Sequence, residues 1–263
     1  MIEWFSNIPH VFQALIATLF TWSITALGAS LVFLTKKINK TFMDGMLGFA
    51  AGVMIAASFW SLIMPGIVMA SSLKLNSLLI ATAGFISGGL FLFISDNIYK
   101  GYDNNKVEDG FRRSMMLIVS ITLHNIPEGM AVGVAFGSLA YGLEGATLAS
   151  AITLAIGIGL QNFPEGSAVS FPLRREGYSR FKSFMYGQLS GFVEPIAGVI
   201  GALLVLKIRY LLPLLLCFAA GCMIYVVIEE LVPESQTNEK KDLMALFTII
   251  GFEVMMIMDI ALG

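Results

Sequence analysis

Two short segments of this sequence repeat each other, and the prediction of the fold starts from them. Leu123–Gly129 reads LHNIPEG, and 37 positions later Leu160–Gly166 reads LQNFPEG, with five of the seven residues identical. Each segment sets ionisable and amide side chains, together with a proline, inside a long apolar run. Because charged residues are scarce elsewhere in the chain, the two segments indicate a functional site.

The composition is typical of an integral membrane protein. Hydrophobic residues make up 57% of the 263 residues and charged residues only 13%, whereas soluble domains carry about 25% charged residues. The mean hydropathy is +0.81. The net charge of −2 indicates no attraction to nucleic acid, which is not expected as a partner. Cys217 and Cys222 have the spacing of neither a CxxC pair nor a disulfide framework.

Apolar runs of about 20 residues or more, the length that crosses a membrane, predict eight transmembrane helices. The fold class expected is an all-α integral membrane protein with one domain over residues 1–263. The lipid bilayer then surrounds its transmembrane helices. The predicted spans are residues 9–34, 43–66, 77–99, 112–137, 144–172, 182–206, 208–232 and 242–262.

Lysine and arginine residues are distributed unequally between the loops on the two sides of the predicted membrane. One set of loops, which includes a predicted mobile link at residues 100–110, holds 13 of them, and the other holds only three. Cytoplasmic loops carry the excess of positive charge, so the first set is predicted to be cytoplasmic. Both termini then lie outside the cytoplasm. That arrangement requires an even number of spans, in agreement with eight.

A second pair of similar segments, which we call the echo segments, predicts an inverted repeat. Phe49–Ile55 reads FAAGVMI in the second span, and Phe218–Ile224 reads FAAGCMI in the seventh. A proline follows each copy, at Pro65 and Pro233. The second and seventh spans run in opposite directions. Spans 1–3 and 6–8 are therefore predicted to be inverted repeats around a central pair, spans 4 and 5, an organisation typical of transporters.

The spacing within each repeated segment brings its polar side chains together. On a helix, His124 and Asn125 lie one turn before Glu128, at i−4 and i−3, and so share a face with it. The second segment repeats this arrangement around Glu165. The proline of each segment frees a backbone carbonyl nearby, and the closing glycine allows a neighbouring helix to approach.

The carboxylates of these segments have no positive partner in the sequence around them. A carboxylate at the centre of a bilayer costs about 2.5–3.5 kcal/mol, and the interior of the fourth, fifth and sixth spans contains no lysine or arginine. Glu194, which precedes Pro195 in the sixth span, is a third such carboxylate. Either these groups are protonated or a cation lies among them. A hydrogen-bonded polar cluster that joins helices is the alternative interpretation.

The mixture of side chains favours a transition metal as the cation. Imidazole, carboxylate and amide oxygen together suit divalent ions such as zinc or iron. The segments contain no thiolate, which indicates a site that releases its ion and not a structural zinc site. Met54, in the middle of the second span, is either a core residue or a ligand on this pattern alone.

At these residues the chain resembles the ZIP (Zrt/Irt-like) family of divalent metal transporters, and in particular its compact bacterial GufA-like branch. The resemblance rests on HNxPEG in the fourth span, on GxxEP at residues 191–195, and on the terminal DIALG at residues 259–263. It implies uptake of Zn²⁺, and also of Fe²⁺, Mn²⁺ or Cd²⁺, into the cytoplasm. It further implies a bacterial plasma (inner) membrane location and elevator-like alternating access. No enzymatic activity and no cofactor beside the transported metal is expected, and a homodimer is among the assemblies that the family forms.

The resemblance also implies a binuclear metal centre, a pathway and two departures from the family pattern. One ligand set is Met54, His124, Glu128, Gln161 and Glu165, and the other is Asn125, Glu128, Asn162, Glu165 and Glu194. Asp44, Glu229 and Glu230 resemble groups toward the cytoplasmic exit, and Asp259 resembles an entrance residue near the outer face. Gln161 stands where many relatives have histidine, and Asn162 where close relatives have aspartate, so the second position is expected to be weaker. The family pattern assigns no role to Glu253.

Three other functions fit parts of the pattern. A metal-gated channel or a metal sensor would use the same ligands without carrying the ion by alternating access. An intramembrane metallohydrolase is not expected, because such enzymes use motifs such as HExxH, whereas the fourth span has one histidine in the spacing HxxxE.

Overall fold

The computed structural model describes residues 2–34, 39–102, 109–142, 146–207 and 209–262, and it is helical in all of these ranges. Part of the predicted mobile link at residues 100–110 lies outside them. The α-helices are α1 (Ile2–Ser6), α2 (His10–Ala29), α3 (Leu31–Leu34), α4 (Lys40–Ala57), α5 (Met64–Ser72), α6 (Ser77–Tyr102), α7 (Asp109–Ser138), α8 (Leu148–Arg175), α9 (Arg180–Gly191), α10 (Val193–Lys207), α11 (Leu212–Val226), α12 (Val232–Ser235) and α13 (Lys241–Leu262). Short 3₁₀ turns follow α7 and α10, and no strand occurs in these ranges.

Several long helices begin at a residue that caps them. The side chain of Asn39 accepts a hydrogen bond from the Thr41 backbone N–H at the start of α4. Thr147 accepts one from Ser150 before α8, and Ser179 accepts one from Lys182 before α9. A capping side chain satisfies one of the backbone donors left free in the first turn of a helix. The local sequence thus defines where these helices start.

Six helical stretches in the described part of the chain are long and apolar enough to cross a membrane, so the protein is an integral membrane protein. They are His10–Leu34, Lys40–Ser72, Ser77–Ile98, Arg180–Lys207, Leu212–Ser235 and Lys241–Ala261. The predicted fourth and fifth spans correspond to α7 and α8, of 30 and 28 residues, which are not among the six. The count of eight spans therefore stays a prediction.

The helical stretches that contain the second and seventh predicted spans extend past the ends predicted for those spans. A π-helical segment, Ser58–Ile63, joins α4 to α5, and Pro65 lies in the first turn of α5. The same arrangement recurs where the π-helical segment Val227–Leu231 leads into α12. A proline is tolerated in the first turn of a helix because its missing N–H would have no partner there. The helical stretches therefore continue to Ser72 and Ser235 instead of ending at residues 66 and 232.

The long helices pack most closely in four pairs. The most extensive contacts are those of α7 with α10, α2 with α8, α4 with α13, and α6 with α11. We call α2 and α7–α10 the motif bundle, because it carries both repeated segments, and α4–α6 with α11–α13 the flanking bundle. Contacts of α4 with α8 and of α7 with α11 join the two bundles. The repeated segments thus lie where the bundles meet.

Glycines allow close backbone approach in corresponding places of the flanking bundle. A Cβ atom on Gly88 of α6 would collide with the carbonyl of Phe218 in α11, and one on Gly251 of α13 would collide with that of Phe49 in α4. Phe49 and Phe218 open the two echo segments of the sequence. The pairing of α4 with α13 therefore resembles the pairing of α11 with α6. This likeness is what an inverted repeat would produce, although the repeat itself stays a prediction.

The outer surface of the flanking bundle is apolar. α6 exposes Leu79, Ile86 and Leu90, and α13 exposes Ile249 and Ile257. Large apolar side chains on the outside are expected where a helix faces lipid. Glu253 is exposed on this same helix α13.

Candidate metal centre

The two repeated segments lie inside long continuous helices and direct their polar side chains inward. α7 continues through Pro127, and α8 continues through Pro164 and Pro172. The side chains of five polar residues are almost fully buried. They are Asn125, Glu128, Gln161, Asn162 and Glu165, none more than 5% exposed. Their burial is consistent with one interior site, and their role as ligands stays a prediction.

The last glycine of each segment lies in close contact with a neighbouring helix, as the sequence predicts. A Cβ atom on Gly129 would lie 2.5 Å from the backbone oxygen of Glu194 in α10. A Cβ atom on Gly166 would collide with the backbone oxygen of Thr25 in α2. These two contacts bring α10 and α2 against the repeated segments, and they bring Glu194 into the same interior region.

Each of the three amide side chains has its nitrogen held by the protein. Asn125 Nδ2 donates to the backbone oxygen of Ser190 at 2.9 Å. Gln161 Nε2 donates to Glu128 Oε1 at 2.5 Å. Asn162 Nδ2 donates to both carboxylate oxygens of Glu194, at 2.9 and 3.0 Å. The orientation of each amide is therefore defined, with its oxygen turned away from these acceptors.

The oxygens of the same amides have no donor in the described part of the chain. Asn125 Oδ1, Gln161 Oε1 and Asn162 Oδ1 are buried without a hydrogen bond, and so is Glu128 Oε2. A buried acceptor without a partner costs about 1–3 kcal/mol. Four such oxygens in two short segments form a group that a cation would satisfy, since amide and carboxylate oxygens are ligands of divalent ions.

Three buried carboxylates add negative charge to this region. Glu128, Glu165 and Glu194 lie close enough for their charges to repel one another, and Glu165 also lies near Glu230. No lysine or arginine occurs in the sequence between residues 114 and 173, which contains both segments. The net effect is an interior region that attracts positive charge.

Two further residues predicted as ligands, Met54 and His124, are described less completely. Met54 is fully buried in α4, which packs against α8. His124 occupies its predicted place in α7, one turn before Glu128, but its side chain lies outside the described residues. Among the side chains that are described, no three histidine, cysteine, aspartate or glutamate groups form a cluster suited to a metal ion. Ion binding here would therefore combine the carboxylates with amide oxygens and with His124.

The predicted pathway residues lie in different parts of the flanking bundle. Asp44 is buried near the start of α4 and accepts a hydrogen bond from Asn238 Nδ2 at 2.7 Å. Glu229 is exposed and Glu230 half-buried in the second π-helical segment. Of these three residues, Glu230 lies near enough to Glu165 for the two charges to repel each other.

Asp259, in α13, contacts a residue that lines a cavity. Ser61 Oγ donates to Asp259 Oδ1 at 2.7 Å, while Asp259 Oδ2 has no hydrogen bond in the described part of the chain. Ser61 also lines the cavity, together with Ser138 and Ser150. A carboxylate next to a hydroxyl-lined cavity is a chemically suitable place for a cation to enter.

The family model described as ZIP Zinc transporter matches residues 102–259 of this sequence, which include both repeated segments, Glu194 and Asp259. The chain belongs to the ZIP zinc transporter family. Membership places it among transporters, and it is not an enzyme. The family resemblance read from HNxPEG, GxxEP and DIALG is thereby confirmed.

Individual ZIP proteins are similar to this chain over nearly its whole length. It is 38% identical over 336 aligned positions to the human protein named Zinc transporter ZIP11, covering 96% of this chain and 98% of the relative. It is 32% identical to Zinc transporter ZIPB of Bordetella bronchiseptica, covering 98% and 84%. It is 30% identical to Zinc transporter GufA of Myxococcus xanthus, covering 95% and 98%. The match to bacterial GufA-like relatives predicted from the sequence is thus also confirmed.

Sequence reasoning missed two residues that shape this region of the ZIP chain. The Thr21 hydroxyl in α2 donates to Glu194 Oε2, and the Ser190 carbonyl holds Asn125. A signal for the first exists, because Thr18, Thr21 and Thr25 recur at helical spacing and are all buried. A stripe of buried hydroxyls on one helix face indicates contact with polar groups of another helix. A backbone acceptor such as the Ser190 carbonyl leaves no signal in the sequence.

Proposed function

We propose that this ZIP chain carries divalent transition-metal ions, chiefly Zn²⁺, across the membrane into the cytoplasm. The observation that carries the proposal is the group of four buried oxygens without donors, on Asn125, Glu128, Gln161 and Asn162. The relatives named as zinc transporters in human and bacteria support the choice of zinc. Fe²⁺, Mn²⁺ and Cd²⁺ are further cargo, because the same oxygens and one imidazole suit them.

The ion is held between α7 and α8 by two overlapping ligand sets. The first set combines Glu128, Gln161 and Glu165 with His124 and Met54. The second combines Asn125, Asn162 and Glu194 with the same two glutamates, which bridge the two positions of a binuclear centre. The state of Glu194 supports the first set as the principal one, because both oxygens of this second-set carboxylate already accept hydrogen bonds from the protein. The second position is auxiliary.

Transport follows an elevator-like sliding of the motif bundle against the flanking bundle. Every proposed ligand except Met54 lies in the motif bundle, so such a movement takes the ion along and separates it from Met54. The two bundles meet mainly where α4 packs against α8 and α7 packs against α11, and we propose that the motif bundle slides along these contacts. Weak oxygen and nitrogen ligands then release the ion on the other side.

The proposed topology has eight spans and both termini outside the cytoplasm, in a bacterial plasma membrane. At about 1.5 Å per residue, α7 and α8 exceed the hydrocarbon thickness of about 30 Å, which supports counting them as the fourth and fifth spans. The matching glycine contacts of the flanking bundle support the inverted repeat. In this proposal the chain is a single domain over residues 1–263 that requires no resident cofactor. The proposed assembly is a homodimer.

Zinc uptake into proteoliposomes tests the proposed function. Vesicles with the purified protein are expected to take up Zn²⁺ at a rate that saturates with zinc concentration, above the rate in vesicles without protein. Uptake that equals the protein-free rate would contradict transport. An ionic current in the absence of transition metal would instead identify a channel.

The entrance role of Asp259 gives a separate prediction. Asp259→Ala is expected to raise the KM for zinc uptake about 10-fold or more with little change in maximal rate, since a fixed charge at a cavity raises the local cation concentration and the on-rate by such factors. Ser61→Ala is the matched control, because it removes the 2.7 Å hydrogen bond but keeps the charge, and its KM should stay near that of wild type. Initial rates across a range of zinc concentrations measure both. An unchanged KM for Asp259→Ala would exclude Asp259 from the entrance.

A further inference from the structure

Two carboxylates of the candidate metal centre, Glu194 and Glu128, differ in the hydrogen bonds that they accept. Glu194 is fully buried, and both of its oxygens accept hydrogen bonds: the Asn162 amide donates to both, and the Thr21 hydroxyl donates to Oε2. Glu128 accepts one hydrogen bond, from Gln161, and its second oxygen has no donor in the described residues. Only Glu128 thus presents an oxygen that lacks a partner.

The side chains around Glu194 form a closed ring across three helices. Asn162 Nδ2 in α8 donates to Glu194 in α10 and to the backbone oxygen of Thr21 in α2, at 3.2 Å. The Thr21 hydroxyl returns to Glu194. The close contact of Gly28 with the backbone of Phe163 holds α2 and α8 together beside this ring. The amide of Asn162 is therefore held at its nitrogen end, and its oxygen is the end left for an ion.

We infer that this chain binds a single metal ion between the repeated segments, and that Glu194 is a positioning residue for Asn162 and not a ligand. This inference rests on the proposed function and revises its auxiliary second position. The N–H₂ group of Asn162 takes the place beside Glu194 that a second cation would need. A positive ion cannot approach Glu194 from that side without displacing a donor that already satisfies both carboxylate oxygens.

The identity of residue 162 decides the number of ions. An ionised aspartate at this position would have no hydrogen to donate. Its oxygen would take the place of Asn162 Nδ2, which now lies 2.9 and 3.0 Å from the two Glu194 oxygens. Two buried carboxylates at such a distance repel each other strongly, and a cation between them is one way to relieve the repulsion. Asparagine relieves it with a hydrogen bond instead.

Counting the metal bound per chain tests the inference. The purified full-length protein is loaded with Zn²⁺ in detergent, free ion is removed by gel filtration, and bound zinc is measured by mass spectrometry. Wild type is expected to bind one ion per chain, and Asn162→Asp two. X-ray absorption at the zinc edge should show a metal–metal distance of about 3.5–4 Å only in Asn162→Asp. Two ions in wild type, or one in a folded Asn162→Asp variant, would overturn the inference.

Two further variants assign the second ion to Glu194. The double variant Asn162→Asp/Glu194→Gln should return to one ion. Asn162→Asp frees the Glu194 carboxylate from its hydrogen bonds to the amide, and Glu194→Gln then removes that carboxylate. Asn125→Asp adds the same charge to the site but leaves the hydrogen bonds between Asn162 and Glu194 in place, and it should also bind one ion. Two ions in Asn125→Asp would attribute the gain to added charge alone and overturn the role of the Asn162 amide.

The outcomes separate this inference from the proposed function. Two ions in wild type together with intact zinc uptake would overturn the single-ion inference and leave transport standing. Wild type that binds no zinc and shows no uptake would contradict the proposed function, and the inference with it. The wild-type count decides the matter even if a variant fails to fold.

Discussion

Alanine at Glu165 is expected to lower zinc uptake at limiting zinc by at least about 100-fold, and alanine at His124 by a similar factor. Loss of a group that merely supports a metal ligand typically costs 10–100-fold in affinity or activity, so loss of a direct ligand should cost no less. Glu165 carries a negative charge close to other carboxylates, and the proposed ion neutralises this charge. His124 supplies the one imidazole in the predicted fourth and fifth spans.

The measurement is initial uptake of Zn²⁺ into proteoliposomes that contain equal amounts of folded protein. Glu176→Ala is the matched control: this glutamate follows the last turn of α8, the same helix as Glu165, but is exposed. Its uptake should stay within about twofold of wild type, as surface substitutions rarely change stability by more than about 0.5 kcal/mol. If uptake survives both Glu165→Ala and His124→Ala unchanged, the site assignment is wrong.

Valine at Gly88 is expected to destabilise the protein by about 1–3 kcal/mol or more, the usual cost of overpacking an interior. A Cβ atom there would overlap the backbone of Phe218 in α11, and backbone atoms cannot move aside without shifting the whole helix. Because α6 and α11 form one of the most extensive helix pairs, the shift would disturb the flanking bundle.

The neighbouring glycine provides the control for this substitution. A Cβ atom on Gly89 would have its nearest neighbour at 3.8 Å, an ordinary contact. Gly88→Val and Gly89→Val change the same helix by the same atoms, so their difference reports packing and not helix propensity. Unfolding in mixed micelles should separate the two variants by the full packing cost, with Gly89→Val near wild type. Equal stability of the two variants would rule out the close approach of α6 to α11.

Much of the helical framework follows from the sequence, because apolar length and turn chemistry act locally. The caps at Asn39, Thr147 and Ser179 and the long apolar runs are read directly from neighbouring residues. A proline does not by itself show where a helix ends, since it ends a helix in the helix interior but is accommodated in the first turn after a π-helical segment, as at Pro65. Deciding between these two contexts requires the hydrogen-bond pattern of the backbone, which the residue names do not contain.

The residues of the candidate site follow from the sequence, but their orientations do not. The spacing of Asn125 and Glu128 on one helix face is local and was predictable. The acceptor that turns the Asn125 amide is the carbonyl of Ser190, 65 positions away, and the acceptor for Asn162 is Glu194, 32 positions away. Such contacts depend on which helices pack together. The amide oxygens therefore became distinguishable from the amide nitrogens only in three dimensions.

The amide oxygens turned toward the candidate site also affect how it responds to acid. An aspartate or glutamate loses its negative charge when it takes up a proton, and a histidine taking one up can no longer coordinate through that nitrogen. Asparagine and glutamine side chains have no such step at physiological pH. Asn125, Gln161 and Asn162 therefore present the same dipoles to an ion in acidic and in neutral surroundings, and any sensitivity to acidification is left to the imidazole and the carboxylates beside them.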